Sequence, residues 1–377
     1  MAEPRVPLVD LRASHRALRH ELEAAIGQVV ASAAFVQGPE VAAFERAFAA
    51  FCGTRRAVGV ASGTAALHLA LTALGVGRGD RVVTVAHTFT ATAEAIAMTG
   101  ATPHFVDVDK TTGTMDPAAL AGALDGAAAV MPVHLYGLPA DMAAIAALAG
   151  AAGVPVVEDA AQAHGASAVP REGAPPVRAG AFGTVAGFSF YPGKNLGAYG
   201  DAGAITTDDE ELAERVARLR DHGRASKYEH AEAGFGERLD TLQAAILLVK
   251  LAHLEAGNAA RARRAARYSQ ALAGVGDLLL PPADTPGRRS AWHLYVVRTA
   301  RRDELLAHLR ADGIGAQVHY PIPLHLQAAW RHLGYTPGDL PVTEAWAAQC
   351  LSLPLYPELT TQQQDLVIAS VRRFFEA

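Results

Sequence analysis

Lys194 is the single basic residue of a segment that is mostly apolar, aromatic and rich in glycine. The segment reads GFSFYPGKNLGAYGDAGAI over residues 187–205 of the 377-residue chain. A lysine in such surroundings is desolvated, and desolvation favours the neutral amine, which is the form that attacks an aldehyde. Ser189, earlier in the same segment, offers a hydroxyl to a phosphate oxygen. The alternative interpretation is a surface-loop lysine without a chemical role.

Asp159 follows the apolar run 154–157 in the segment VPVVEDAAQAHG. A carboxylate at the end of a buried strand is costly unless a cation pairs with it, and no lysine or arginine lies near it in sequence. The protonated ring nitrogen of a cofactor is one such cation. Gln162, three residues on, is within reach of the same ligand. The alternative is that Asp159 only caps the turn that follows it.

Gly63 and Thr64 lie where a predicted strand gives way to a predicted helix, in the segment VGVASGTAALHLA. The first N–H groups of a helix have no partner inside it, and the helix dipole favours an anion there. The turn therefore suits a phosphate group. The alternative is an ordinary helix cap made by Ser62 or Thr64.

Together these segments meet the requirements of pyridoxal 5′-phosphate (PLP). The helix N-terminus takes the phosphate, the aspartate holds the pyridine nitrogen protonated, and the lysine carries the aldehyde. Other sites fit the sequence less well. A P-loop needs Ser or Thr where Asn195 stands, and the histidines of 319–325 do not have the spacing of metal ligands. We therefore expect PLP and no metal.

A sheet must bring these residues together, and residues 60–210 alternate strand and helix patterns. Strands are predicted over 57–60, 81–85, 104–108, 129–133, 154–157 and 203–206. Helices are predicted between them, over 64–74, 92–99, 117–124 and 142–149. Short apolar strands separated by helices predict an α/β fold with a mostly parallel central sheet flanked by helices. Ligands of such sheets bind beyond the carboxyl ends of the strands.

Two domains are expected from the length, at about 150 residues per domain. Residues 1–250 are predicted to form a large PLP-binding domain whose first fifty residues are helical, most clearly over 41–51. Residues 251–377 are predicted to form a smaller C-terminal α+β domain. Its elements are a strand over 292–299 and helices over 302–312 and 360–376. An apolar pattern at helical spacing over 237–255 predicts a long helix that links the two domains.

The composition argues against several classes of protein. Half of the residues are hydrophobic and 19% are charged, which is enough to bury a large core. With 33 basic and 38 acidic residues the net charge is −5, which disfavours nucleic acid or anionic membrane as a partner. Two cysteines do not make a disulfide framework, and no signal peptide or membrane-spanning stretch stands out. We expect a cytoplasmic protein.

Six ordered segments make the sequence resemble the DegT/DnrJ/EryC1/StrS sugar aminotransferases, which are PLP-dependent enzymes of fold type I. In chain order the segments are ASGTAALHLAL, HTFTATAEAI, VEDAAQAHGA, FSFYPGKNLGAYGDAGA, RLDTLQAAIL and HYPIPLH. Their variants are most similar to members that aminate C3 of dTDP-linked 3-keto-6-deoxysugars. The resemblance therefore implies a ping-pong aminotransferase that moves an amino group from L-glutamate to such a sugar. It also implies a homodimer with shared active sites.

The resemblance gives each candidate residue a role. Lys194 matches the lysine that binds PLP covalently; related dehydratases have histidine there, so Lys194 favours transamination. Asp159 matches the partner of the pyridine nitrogen, and Gln162 matches the residue that meets the phenolic oxygen. The phosphate site is matched by Gly63, Thr64 and Ser189, and the aromatic that stacks on the ring by Phe89.

The sugar pocket is matched by Tyr191, Lys227, His319, Tyr320 and His325. Lys227 lies in a polar loop, so a solvated surface lysine is the alternative there. One position departs from the family pattern G-[YF]-N-x-R-[LM]-D, whose asparagine reaches the phosphate of the partner subunit. The chain has Gly236 in that place. Either a backbone N–H or water replaces the amide, or the cofactor is held more loosely.

Other functions remain open from the sequence. The acceptor is a 4-keto-sugar or an inosose in some members of the family, and no motif of this chain distinguishes them from 3-keto-sugars. A non-catalytic regulatory protein that kept the PLP fold is an alternative of another class. The presence of Lys194, Asp159 and Gln162 together argues for an enzyme.

Overall fold

The computed structural model describes residues 4–170 and 173–376. Its helices are α1 (Leu11–Ser32), α2 (Pro39–Cys52), α3 (Gly63–Ala73), α4 (Ala91–Met98), α5 (Pro117–Ala121), α6 (Met142–Ala152), α7 (Glu210–Leu219), α8 (Thr241–Leu272), α9 (Arg302–Ala311), α10 (Pro341–Gln349) and α11 (Thr361–Glu376). Its strands are β1 (Arg56–Val60), β2 (Arg81–Val85), β3 (Thr102–Val106), β4 (Ala129–Val130), β5 (Val157–Asp159), β6 (Ser167–Ala168), β7 (Val177–Arg178), β8 (Val185–Ser189), β9 (Gly203–Thr207), β10 (Arg288–Arg289), β11 (Tyr295–Arg298) and β12 (Cys350–Leu353).

The central sheet has seven strands in the order β1-β9-β8-β5-β4-β2-β3. Two parallel bridges, Val130 to Val156 and Val133 to Asp159, join its two hydrogen-bonded halves. Among these seven strands only β9 is antiparallel to its neighbours. The prediction of a mostly parallel α/β sheet is confirmed. Six strands therefore end at the same edge of the sheet.

Side chains that alternate along each strand pack on opposite faces of this sheet, as the pleat requires. In β1, Val58 and Val60 join a core formed with α3, α4 and α7, whereas Ala57 joins one formed with α2 and α8. In β8, Val185 joins the first core and Phe188 the second. Helices thus cover both faces, and burial of these apolar strands holds the edge of the sheet in place.

Local residues explain where strand predictions and structure differ. The strand predicted over 129–133 ends at Val130, and the one predicted over 154–157 begins at Val157. Pro132 and Pro155 lie in these stretches, and proline has no N–H for the ladder. Strand β8 is missing from the prediction because Gly187 weakens its pattern. That glycine is needed, since a Cβ there would lie 2.7 Å from Leu67 Cδ2 of α3.

The linking helix α8 is longer than predicted, running over Thr241–Leu272. Leu247 and Leu254 pack in the core with α2 and the sheet, whereas Tyr268 and Leu272 pack in a separate core. This separate core, here called the C-terminal core, is built from β11, β12, α9 and α11. The predicted boundary at residue 250 falls inside this continuous helix, and the division into domains 1–250 and 251–377 stays a prediction. No helix in the described ranges is long and apolar enough to cross a membrane.

Candidate active site

The candidate residues gather at the edge where the parallel strands end. Strand β1 leads into Gly63, β2 into the segment 86–92, β5 ends at Asp159, and β8 ends at Ser189. Because these four strands run in the same direction, their carboxyl ends lie side by side. This is the edge at which α/β sheets bind ligands.

Asp159 is 5% exposed and has few polar partners. Thr92 Oγ1 donates a hydrogen bond to Oδ2 at 2.7 Å, and the Ala161 N–H donates to Oδ1 at 3.2 Å. Among the described residues, no basic side chain forms an ion pair with it. Burial raises the pKa of Asp159, while the bonds from Thr92 and Ala161 and the charge of Lys194 oppose that rise. The carboxylate is therefore an acceptor that lacks a cation.

Lys194 lies partly buried in the loop after β8, where its backbone N–H donates to the Tyr191 carbonyl at 2.8 Å. Burial lowers the pKa of its amine to about 8, and the carboxylate of Asp159 acts in the opposite direction. At pH 7 an amine with this pKa is neutral about 300 times more often than one with the ordinary pKa of 10.5. A nucleophilic amine thus lies near an acid.

Three buried or partly buried histidines lie close enough to this amine for its charge to affect their pKa values. Burial, and next the charge of Lys194, lower the pKa of His164 to about 3 and that of His319 to about 4. The same two causes hold the pKa of His293 well below its ordinary value. All three imidazoles are therefore neutral at pH 7. Asp159 is the acid that opposes the low pKa of Lys194.

The N-terminus of α3 offers free hydrogen-bond donors beside Ser189. Ser62 is the N-cap, as one interpretation expected, and its Oγ accepts from the Ala65 N–H at 3.0 Å. The N–H groups of Gly63 and Thr64 have no acceptor among the described residues. A Cβ on Gly63 would lie 2.5 Å from Ser189 Cβ and 3.1 Å from its Oγ. Only glycine leaves this space open, so the cap and a phosphate cradle coexist.

Gln162 has a defined amide orientation, because the backbone N–H of Tyr136 can only donate. Gln162 Oε1 accepts that N–H at 2.6 Å, so Nε2 points to the other side and donates to the Tyr320 hydroxyl at 3.4 Å. Tyr136 is buried in a left-handed conformation with φ 61°, and its hydroxyl donates to the His319 carbonyl. Sequence reasoning missed Tyr136, since a backbone donor has no side-chain signature.

Aromatic side chains line the opening of the site. Phe89 is 52% exposed, and its ring centroid lies 5.7 Å from that of Tyr320. Tyr191 is 59% exposed on the loop that carries Lys194. His319 is fixed by a hydrogen bond of 2.8 Å between its Nδ1 and Ser352 Oγ. The segment HTFTATAEAI contains both Phe89 and Thr92, but its resemblance to the family gives a role only to Phe89, so Thr92, the partner of Asp159, was not predicted.

Two residues predicted for the sugar pocket lie apart from this cluster. His325 is 1% exposed, and its Nε2 is 3.1 Å from Glu344 Oε1. This packing gives it a structural role and no open approach for a ligand. Lys227 lies in an exposed loop with its ammonium over the ring of Tyr228. Its one contact given by the described residues is with that ring, as expected of a solvated lysine.

The residues present fit PLP. In the part of the chain that the structure describes, the buried Asp159 carboxylate has no ion-pair partner and the Gly63 and Thr64 N–H groups have no acceptor, while burial lowers the pKa of Lys194. Within the described part of the chain, no group of three or more His, Cys, Asp or Glu is placed to hold a metal ion. Each of the three unmet needs corresponds to one part of the cofactor.

The sequence profile of the DegT/DnrJ/EryC1/StrS aminotransferase family matches residues 16–372. The chain belongs to this family. It is 48% identical over 374 residues to the dTDP-3-amino-3,4,6-trideoxy-alpha-D-glucose transaminase of Streptomyces venezuelae, covering 99% of this chain and 97% of that enzyme. The whole-chain resemblance seen in the six sequence segments is therefore confirmed.

Solved structures of DegT/DnrJ/EryC1/StrS relatives agree with the sequence comparison. S. venezuelae DesV in complex with a ketimine intermediate superposes with a TM-score of 0.95 at 47% identity, covering 99% of each chain. NtdA from Bacillus subtilis with bound cofactor PMP superposes with a TM-score of 0.91 at 30% identity, covering 100% of this chain and 86% of that one. The predicted fold, aminotransferase class and PLP dependence are confirmed.

Proposed function

We propose that the protein transfers an amino group to a nucleotide-linked sugar, with a dTDP-linked 3-keto-6-deoxysugar as acceptor and L-glutamate as donor. The observation that carries the proposal is that Asp159, a buried carboxylate with no ion-pair partner among the described residues, lies close enough to Lys194 for each to shift the other's pKa, and burial lowers the pKa of Lys194 to about 8. The similarity to a dTDP-aminosugar transaminase over nearly the whole chain supports the sugar class. The C3 position and the donor rest on the sequence resemblance.

PLP, when bound, supplies an aldehyde that condenses with amines and a ring that accepts electrons from the bond being broken. With PLP bound, the Gly63 and Thr64 N–H groups and the Ser189 hydroxyl would hold its phosphate. Asp159 would accept a hydrogen bond from the ring nitrogen and favour its protonated form. Gln162 would present Nε2 to the phenolic oxygen, because the Tyr136 N–H occupies Oε1. Phe89 would contact the ring.

Lys194 is the proposed general base and acid of the reaction. When its amine is free, Lys194 Nζ would take the proton from the α-carbon of the bound amino donor. An amine with a pKa of about 8 both accepts and returns a proton readily near neutral pH. The acceptor sugar then enters and the steps run in reverse, so ping-pong kinetics are expected. His319, Tyr320 and Tyr191 hold the sugar.

The proposal includes a homodimer that shares its active sites. Support comes from apolar side chains left exposed in the single chain, with Phe35 46%, Val36 56% and Tyr228 84% exposed. Tyr228 and Lys227 lie in one exposed loop, which would approach the partner's site. Such an arrangement gives Lys227 its proposed role with the sugar nucleotide only across the interface. Sedimentation equilibrium should then give twice the chain mass; a monomer that is fully active would exclude it.

The decisive experiment is the visible spectrum of the purified protein with PLP, before and after L-glutamate. Wild type should show the yellow band of lysine-bound PLP, glutamate should bleach it, and Lys194→Ala should lack it. Lys250→Ala is the matched control, because burial also lowers the pKa of Lys250 to about 8, while its ammonium is held by the Gly197 carbonyl, to which it donates. Absence of the band in wild type would refute the proposal and favour a regulatory protein.

Acceptor identity is tested on the aminated enzyme that glutamate leaves behind. A dTDP-linked 3-keto-6-deoxysugar should restore the yellow band faster than a 4-keto-sugar nucleotide or an inosose. His319→Ala should raise the KM for the sugar and leave the bleaching by glutamate unchanged. Faster recovery with either of the other acceptors would replace the proposed substrate without touching the aminotransferase assignment.

A further inference from the structure

Thr92 and Thr88 form a hydrogen-bonded hydroxyl pair beside the candidate ring-nitrogen acceptor. Both are buried, Thr92 at 1% and Thr88 at 3% exposure. Thr92 lies in the first turn of α4, whereas Asp159 ends β5, so their bond of 2.7 Å joins two separate elements of the fold. The two threonine hydroxyls are 2.9 Å apart.

The direction of this chain of hydrogen bonds follows from the ionised carboxylate, which only accepts. Thr92 must therefore donate its hydroxyl proton to Asp159 Oδ2. The Thr92 oxygen then accepts, and Thr88 is the donor of the bond between the two hydroxyls. Thr88 thus holds the Thr92 proton in the direction of Asp159. A protonated Asp159 would remove the reason for this order.

Few other groups of the protein stabilise the charge of Asp159. The Ala161 N–H reaches the other oxygen at the longer distance of 3.2 Å, and no basic side chain of the described residues pairs with it. A hydrogen bond to an ionised acceptor is about twice as strong as one between neutral groups, and it favours the charged form. The Thr92 hydroxyl is thus the main protein group that opposes burial at this carboxylate.

We propose that Thr92 is a positioning residue which, oriented by Thr88, fixes Asp159 Oδ2 and keeps that carboxylate ionised toward the ring nitrogen of PLP. The inference rests on the proposed PLP-dependent function and assigns these two residues a part in it. Without the Thr92 hydroxyl, Asp159 loses a donor that favours its charge, and a neutral acid does not hold the ring nitrogen protonated. Proton affinity at the ring nitrogen should then fall.

The test is 15N NMR of holoenzyme loaded with PLP labelled at the ring nitrogen, followed between pH 6 and 9. The nitrogen should stay protonated in wild type and in Thr92→Ser, which keeps the hydroxyl. Thr92→Val, similar in shape but without a hydroxyl, should lower the proton affinity of that nitrogen at least about tenfold. Thr90→Val is the matched control, because Thr90 bonds the exposed Glu94 in the same turn at 3.2 Å.

Each outcome separates this inference from the function beneath it. A Thr92→Val signal identical to wild type at every pH would overturn the positioning role and leave PLP binding intact. A wild-type protein that binds no PLP would instead refute the proposed function. If Thr92→Val does not fold, Thr88→Val decides, because Thr92 then keeps its hydroxyl but loses its orientation. A lowered proton affinity in Thr88→Val supports the inference, and an unchanged one contradicts it.

Discussion

Glu158 and Asp159 are consecutive buried carboxylates with opposite surroundings. Glu158 accepts three backbone N–H bonds from the loop 180–183, each of 2.8 Å, and one from His134 Nε2 at 3.0 Å. From residues 4–170 and 173–376, Asp159 accepts only two hydrogen bonds, from Thr92 and the nearby Ala161. Neighbours in a strand point to opposite faces, so one acid serves the fold and the other is left for a ligand.

Replacing the saturated acid should destabilise the fold strongly. Glu158→Ala leaves the His134 ring and three backbone N–H groups without this acceptor; the bond from Gly180 is buried, and those from Phe182 and Gly183 are partly buried. The free energy of unfolding should therefore fall by about 3–5 kcal/mol. Urea unfolding of the apoprotein measures it. The control is Glu255→Ala, since Glu255 is 69% exposed where it pairs with Arg178 and should cost under about 1 kcal/mol. Equal midpoints for the two variants would contradict the prediction.

Replacing the unsaturated acid should have the reverse effect on the apoprotein. Burial raises the pKa of Asp159, so its charge destabilises the fold once the pH exceeds the ordinary value of 3.8. Asp159→Asn should therefore raise the Tm of the apoprotein at pH 7 and leave it nearly unchanged below pH 4. The same variant should bind PLP more weakly and lose at least about a hundredfold in kcat. A lower Tm at pH 7 would show that Asp159 is structural.

PLP uptake by Lys194 should depend on pH in a defined window. The amine must be neutral to react, and its pKa lies at about 8. The rate of appearance of the yellow band should rise nearly tenfold per unit between pH 6 and 7.5 and level off above pH 8. Stopped-flow absorbance follows it directly. A rate still rising steeply at pH 9 would mean that Lys194 titrates like an exposed lysine.

A side chain at the first residue of α3 should weaken PLP binding. The Cβ of Gly63→Ala would lie 2.5 Å from Ser189 Cβ, so α3 and β8 must separate where the phosphate is held. The Kd for PLP, measured by fluorescence titration, should rise at least about tenfold. Gly27→Ala is the control, because its Cβ meets nothing within 4 Å and should leave the Kd unchanged. Equal affinities in the two variants would place the phosphate elsewhere.

Sequence signals located what is local along the chain. Gly63, Asp159 and Lys194 each follow an apolar run, so their places at the sheet edge could be predicted from strand and turn patterns. Tyr136 and Thr92 could not, because each acts through a contact with a residue distant in sequence. The helix α8 extends further than predicted, because the apolar residues of its second half face only a core formed by later elements.

The sugar-pocket residues show the limit of motif likeness. His319 and its neighbour Tyr320 come to the site because a hydrogen bond to Ser352 and one from Gln162 hold them there. His325 stands in the same motif but turns into an apolar cluster and pairs with Glu344. A motif gives the residues but not the direction in which the chain turns between them.

The C-terminal core, to which α8 contributes Tyr268, has a consequence for synthesis on the ribosome. Val6 lies in that core and pairs with Ile314, and Phe374 near the C-terminus closes it. Val6 therefore reaches these native contacts only after Ile314 and Phe374 have been synthesised. The cores that α2 and α3 form with the sheet involve residues up to Ala291, so they can form before Ile314 has been synthesised. In a nascent chain stalled before Ile314, the sheet that carries the PLP-site residues could form, while the segment around Val6 would remain accessible to proteases.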